Sequence, residues 1–334
     1  MKKIISALIF ITLSFSGFAL SSEDFSLSVE PLFGMKWGQI DEYVFLKECT
    51  YDDDKLSELN WEIKPEFYGG AKVSGGWKKF FGELQFSAGF PMQTGLMMDS
   101  DWLNIEYLSA NGGNSVKTNY SEHDNHLDYD IRFGIKGGYD FSAIEYFNIK
   151  PSIAFDYENI KFTGKGGTGW YGHTVGQDDR YDNGPWYQYD TSDHQKVFKF
   201  AGDVISYNRV SYYFWLGSDF CVSLPYNFKI NTGFFVSPYL YAESFDSHFL
   251  TGEDYADKTP GFFSAFKWNL GAEYKITERY SIILNSTAFY MRELRGDSFA
   301  KSTSSKTYAK DTTVDGGAGA WEFNAAISVR FTLF

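Results

Sequence analysis

"WEFNAAISVRFTLF", Trp321–Phe334, alternates residue by residue. Trp321, Phe323, Ala325, Ile327, Val329, Phe331 and Leu333 share one parity, and Glu322, Asn324, Ser328 and Arg330 hold the other. A period of two belongs to a strand, whose successive side chains point to opposite faces. One apolar face and one charged face suit a strand standing between lipid and a wet lumen. Phe334 falls out of step, which a bulge or an unpaired last residue would reconcile.

The same alternation recurs upstream. Leu27, Val29, Phe33, Met35 and Trp37 oppose Ser28, Glu30, Gly34, Lys36 and Glu42, and Leu84, Phe86, Ala88 and Phe90 oppose Gln85, Ser87 and Gly89. Such segments predict strands at 26–47, 58–77, 82–103, 126–142, 148–167, 198–222, 229–250, 262–277, 280–298 and 318–334. Ten is an even number, as a single-chain barrel requires. Short connections ("KKFF", "LPYN", "TERY") alternate with long polar ones at 104–125, 168–197, 251–261 and 299–317. The short ones read as periplasmic turns and the long ones as extracellular loops. Strands longer than the roughly 9–11 residues needed to span are expected to stand above the membrane on the outer side.

Composition agrees with an all-β, ten-stranded antiparallel transmembrane barrel of the outer-membrane type. Aromatics reach 20% with 32 Gly and only 8 Pro, yet mean hydropathy is negative, the average that lipid-facing and lumen-facing residues give when they alternate. Residues 1–19, "MKKIISALIFITLSFSGFA", carry Lys2 and Lys3, a short apolar run, and Gly17 and Ala19 before the expected cut, and so read as a signal peptide. Residues 20–334 then form one barrel domain. Removing the leader takes the formal charge from −13 to −15, which disfavours nucleic acid and attracts cations. Cys49 and Cys221 map to opposite ends of the barrel and are expected to stay unbridged.

Two constellations carry chemistry. The parity of Gln85, Ser87 and Gly89 extends to Met97, Asp99 and Asp101, provided Pro91 introduces no shift, and puts both carboxylates in the lumen about 6–7 Å apart. Like charges that close raise one pKa, so the pair is expected to share a proton. In "YAESFDSHFL", Tyr241–Leu250, the residues Tyr239, Tyr241 and Phe245 suit the outer face, while Ser244, Asp246 and His248 line the lumen. An Asp two residues before a His on one strand face orients the imidazole as a base.

These residues resemble the omptin family of outer-membrane proteases. Asp99, Asp101 and Trp102 match its Asp-x-Asp-Trp motif, and Asp246 and His248 its Asp-x-His motif, with order and spacing agreeing over the mature chain. "DEYVFLKE", Asp41–Glu48, resembles the first-strand segment and puts Glu42 at the substrate-pocket glutamate. "FTGKGGT", Phe162–Thr168, resembles the Gly-rich end of the fifth strand, and "SEHDNHL", Ser121–Leu127, partly matches a Ser-x-His-Pro segment. The resemblance implies an endopeptidase without a covalent intermediate, in which a water between Asp246/His248 and Asp99/Asp101 attacks the peptide. It implies no metal, peptide or protein substrates, a barrel in contact with outer-membrane lipid, and a site facing the cell exterior; a monomer is expected.

The match departs in two places. The apolar pocket wall is kept at Met97 and Ile205, but the second pocket acid is Ser244, with Glu243 pointing outward, so preference for Lys or Arg is expected to be altered. The wall that grips lipopolysaccharide corresponds to Phe155, Tyr157, Asn159 and Val210, with Arg209 and Lys161 nearby. Loss of the arginine pair counts against dependence on lipopolysaccharide. The alternative is a non-enzymatic barrel, an adhesin or structural protein on the same scaffold.

Other motifs carry less. His123 and His126 fall on opposite strand faces, which argues against a metal site. "YDDDK", Tyr51–Lys55, reads as a solvated loop tip, and His173 and His194 lie in a long surface loop. "GKGG" lacks the ending of a phosphate loop.

Overall fold

The computed structural model describes residues 25–51, 53–105, 115–172, 186–302 and 304–333. The expected leader, His173 and the parity of Phe334 fall outside these residues. Thirteen antiparallel strands follow in order: β1 (Phe25–Leu46), β2 (Lys55–Trp77), β3 (Phe80–Gly89), β4 (Met92–Asp101), β5 (Asn119–Tyr139), β6 (Phe141–Ile144), β7 (Phe147–Gly172), β8 (Gln195–Leu224), β9 (Phe228–His248), β10 (Glu253–Gly261), β11 (Ala265–Lys275), β12 (Tyr280–Ser302) and β13 (Ala309–Thr332).

Pairing closes them into a ring. β1 pairs with β2 and β13; β2 and β5 both pair with β3 and β4; β9 and β12 both pair with β10 and β11. β3 with β4 therefore makes one stave, β10 with β11 another, and β6 is a short hairpin arm of β7. Among the described residues that leaves ten staves. The third is broken at Phe90–Pro91, where proline has no amide hydrogen to give the ladder.

Several expected loops are strands. Residues 251–261 are mostly β10, and β5, β7, β8, β12 and β13 each extend into stretches read as loops. Two tight turns fall where expected, with positive φ at Lys78, Tyr226 and Asn227. Neither Cys49 nor Cys221 is in a disulfide.

Toward the turn end the outer wall is apolar, with Phe80, Phe133, Ile153, Phe234, Trp268, Leu284 and Ile327 all exposed. An apolar surface of that extent does not belong in water. Beyond Phe90, Tyr239 and Trp321 the wall turns polar, with Glu58, Asn60, Glu62 and Lys64 on β2 and Glu122 and Asp124 on β5.

The lumen is layered. Nearest the turns lies a cavity of about 480 Å³ lined by Glu30, Lys72, Lys136, Asp219, Lys267 and Arg330 among others. Above it, Lys36 is fully buried with Asp130 at 2.5 Å and Glu66 at 2.7 Å. Arg132 pairs with Asp130 at 3.0 Å, Glu322 at 2.7 Å, and Glu158. Next comes a floor of Ile40, Trp61, Ile63, Ile160, Phe162 and Tyr207, with Trp61 stacked 5.8 Å from Phe162 and 5.5 Å from Tyr207. The loop-end lumen, where the two acidic motifs lie, begins above this floor.

Candidate active site

β4 and β9 carry the two acidic motifs to the loop end. Along β9 the inward residues are even-numbered, so Ala242, Ser244 and Asp246 are buried while Phe245 faces out. From β3 to the end of β4 the parity shifts twice, at the Phe90–Pro91 break and at Gly95. Thr94 is fully buried, its hydroxyl accepting from the Lys64 amide and donating to the Pro65 carbonyl. At Gly95, with φ +68°, the ladder to β5 skips. The two shifts cancel, and Met97 is buried beside the floor, as expected from β3.

The imidazole Nε2 of His248 lies 2.5 Å from Asp246 Oδ2. Burial alone would lower the His248 pKa, but Asp246, its hydrogen bond, and Asp99 and Asp101 raise it to about 9. Asp99 is held well above the usual carboxylate range by burial and then by Asp101, with His248 opposing and Asp246 adding. The charges of the four residues thus bear on one another at the loop end, and Asp99 Oδ1 is buried without a hydrogen-bond partner. Asp101 Oδ2 accepts from the Asn119 amide at 3.3 Å. Trp102 lies between two ammonium groups, Lys55 at 4.8 Å and Lys117 at 5.4 Å from its ring.

Glu42 on β1 is 3% exposed, and burial, then Asp246, Asp257 and Asp99, push its pKa well up. Its Oε2 has no hydrogen-bond partner. Met97 and Ile205 belong to one apolar cluster, and Ile205 is the ladder partner of His248. Ser244 is buried at a ladder position between Arg209 on β8 and Asp257 on β10. Glu243 points outward and pairs with Lys258 at 3.6 Å.

Two features gain their place only in the structure, although the sequence already singled out the Ser121–Leu127 segment. Asp257 lay in a stretch read as a loop, yet it is a buried strand residue facing the same groove. Ser121 and His123 form a buried dyad, Ser121 Oγ lying 2.9 Å from His123 Nε2, and His123 Nδ1 lying 2.5 Å from the Gly166 carbonyl. That carbonyl only accepts, so Nδ1 carries the proton and Nε2 accepts from Ser121. Ser121 is the cross-strand partner of Asp99. A Cβ on Gly167, at φ +108°, would fall 1.9 Å from the Glu122 carbonyl oxygen, so glycine is required for β7 to approach the dyad.

Of the residues expected on the lipid-gripping wall, Tyr157 lies 5.5 Å from Tyr212, and the nearby Lys161 is 3.7 Å from Asp128. Arg209, expected near that wall, is instead fully buried in the lumen, donating to the Gly319 carbonyl at 2.9 Å. His126 faces away from His123, and His194 stacks on Tyr187 at 3.7 Å.

The omptin family's sequence profile matches residues 23–333. Among solved structures, the outer membrane protease OmpT from Escherichia coli overlays with a TM-score of 0.75 at 15% identity, covering 95% of this chain and 99% of that one. At such identity the likeness concerns the fold. The translocator domain of the autotransporter NalP from Neisseria meningitidis matches at 8% identity over 97% of this chain and 94% of its own, but its TM-score of 0.31 carries no structural argument. A search of curated proteins finds no sequence relative at the threshold of significance. With the profile spanning nearly every described residue, the chain belongs to the omptin family of outer-membrane proteases.

Proposed function

We propose that the protein is an endopeptidase that cuts exposed peptides or host proteins with a preference for basic residues, using a water held between Asp246/His248 and Asp99/Asp101. The observation that supports this best is His248, hydrogen-bonded to Asp246 and electrostatically coupled to Asp99 and Asp101. Neutral His248 takes a proton from the water, the resulting hydroxide attacks the carbonyl carbon, and the imidazolium returns the proton to the leaving nitrogen. Asp99, its carboxyl pushed well up by burial and then by Asp101 with His248 opposing, is assigned the hydrogen bond to the negative charge that develops.

In this reading the apolar wall lies in the bilayer and the polar half stands outside the cell, with the groove open outward. The outer wall offers tyrosines and an ion-paired Lys161 where an anionic lipid head group would need free arginines, so activity is not expected to require lipopolysaccharide.

The test is cleavage of a mixed peptide library by the folded barrel, with and without lipopolysaccharide. His248→Ala and Asp99→Ala are each expected to lower kcat by about 10²–10⁴-fold. Cleavage that survives both substitutions would refute the mechanism.

A further inference from the structure

We propose that Asp257 is the second acid of a substrate pocket whose first acid is Glu42, and that the pocket takes an amine or guanidinium from the substrate; this rests on the peptide-cleaving reading above. Ser244 is a neutral buried residue on the lumen face of β9, and Asp257 is its direct partner across the β9–β10 ladder. The charge is displaced by one strand, about 4.5–5.5 Å, and stays in the groove.

Both carboxylates are built to wait for a cation. Asp257 and Glu42 are each 3% exposed, and Asp257 Oδ1 and Glu42 Oε2 lack hydrogen-bond partners. A Cβ on Gly316 of β13 would fall 2.1 Å from Asp257 Cγ, so the carboxylate rests where only a glycine leaves room. Two neighbouring cations are engaged elsewhere: Lys258 points outward to Glu243 at 3.6 Å, and Arg209 donates to the Gly319 carbonyl and lies 3.8 Å from Glu158. Tyr207 on the floor is buried beneath the pair and senses both acids. Burying two uncompensated acids is costly, and an entering ammonium or guanidinium makes charge-assisted hydrogen bonds to them. A neutral side chain leaves them unsatisfied, which is the stronger source of discrimination.

Peptides with Arg, Lys, citrulline or norleucine before the cut, presented to wild type, Asp257→Asn and Asp257→Asn/Ser244→Asp, separate the possibilities. Asp257→Asn is expected to lower kcat/KM for the Arg and Lys peptides at least tenfold, mainly through KM, and to affect the neutral peptides far less, so that the basic preference collapses. Returning the acid to position 244 is expected to restore the basic preference. In parallel, arginine amide is expected to raise the Tm of the folded wild type and to have no effect on Asp257→Asn. Wild-type cleavage indifferent to charge, or an Asp257→Asn protein that keeps both the preference and the Tm shift, would overturn the pocket and leave the peptidase reading standing. A Tm shift that depends on Asp257 in a protein that cuts nothing would keep the pocket and remove the peptidase.

Discussion

His248 Nε2 lies 2.5 Å from Asp246 Oδ2, two residues back along the same face of β9, and the imidazole is 32% exposed at the rim of the groove. The carboxylate therefore holds a ring that solvent and substrate still reach. Its charge, with those of Asp99 and Asp101, raises the His248 pKa to about 9. A base must be neutral to act, so kcat/KM is expected to rise with pH through an inflection near pH 9 and to level off only above it. Asp246→Asn removes the largest charge that favours the imidazolium, so the inflection is expected to move down while the plateau falls. A pH–rate profile of both proteins checks this, and an unmoved inflection would contradict it.

Asp257 links stability to pH. Burial and Asp246 raise its carboxyl to about 7, against an ordinary value of 3.8, with a hydrogen bond from Ser298 opposing. The folded protein thus holds a proton that the unfolded chain releases between those values. Stability falls as pH rises through that window, and above it the penalty is on the order of 4 kcal/mol. Asp257→Asn is expected to raise the Tm at pH 8 and to change it little at pH 4, as thermal melts in detergent will measure.

Lys36 lies where its ammonium meets Asp130 and Glu66 together, out of reach of solvent. Replacing it with Met leaves those acids beside Arg132 alone. A loss of about 3–5 kcal/mol is expected, seen as a lower denaturation midpoint, with peptide specificity unchanged because the floor of Trp61, Phe162 and Tyr207 separates this layer from the groove.

Gly167→Ala tests the approach of β7 to the dyad. The added methyl collides with the Glu122 carbonyl at a positive φ that disfavours any side chain. The His123–Gly166 hydrogen bond is expected to break, lowering both Tm and activity. A Gly167→Ala protein indistinguishable from wild type in both would show that the close approach is dispensable.

Legibility followed the surroundings of each strand. Where one face is apolar and exposed and the other lines a charged lumen, as in Trp321–Thr332, alternation is sharp and the strands can be read directly. At the loop end both faces are polar, and "EDYADKTPG" of β10 shows no alternation, so Asp257 was hidden in an apparent loop. Asp99 was placed correctly although its expected parity ignored two shifts, at Phe90–Pro91 and at Gly95, which cancel. Arg209 was misplaced because its neighbourhood in the chain says nothing about which face it takes; its ladder position opposite Ser244 does.

Ser121 and His123 supply a second arrangement capable of nucleophilic attack beside Asp99, so the identity of the nucleophile is the point on which the mechanism stands. Rapid-quench mass spectrometry of the folded barrel mixed with a cleavable peptide measures it. Attack by water predicts product that depends on His248 and no mass added to the protein at any time. A transient acyl adduct on Ser121, formed and lost at the rate of turnover, would contradict attack by water.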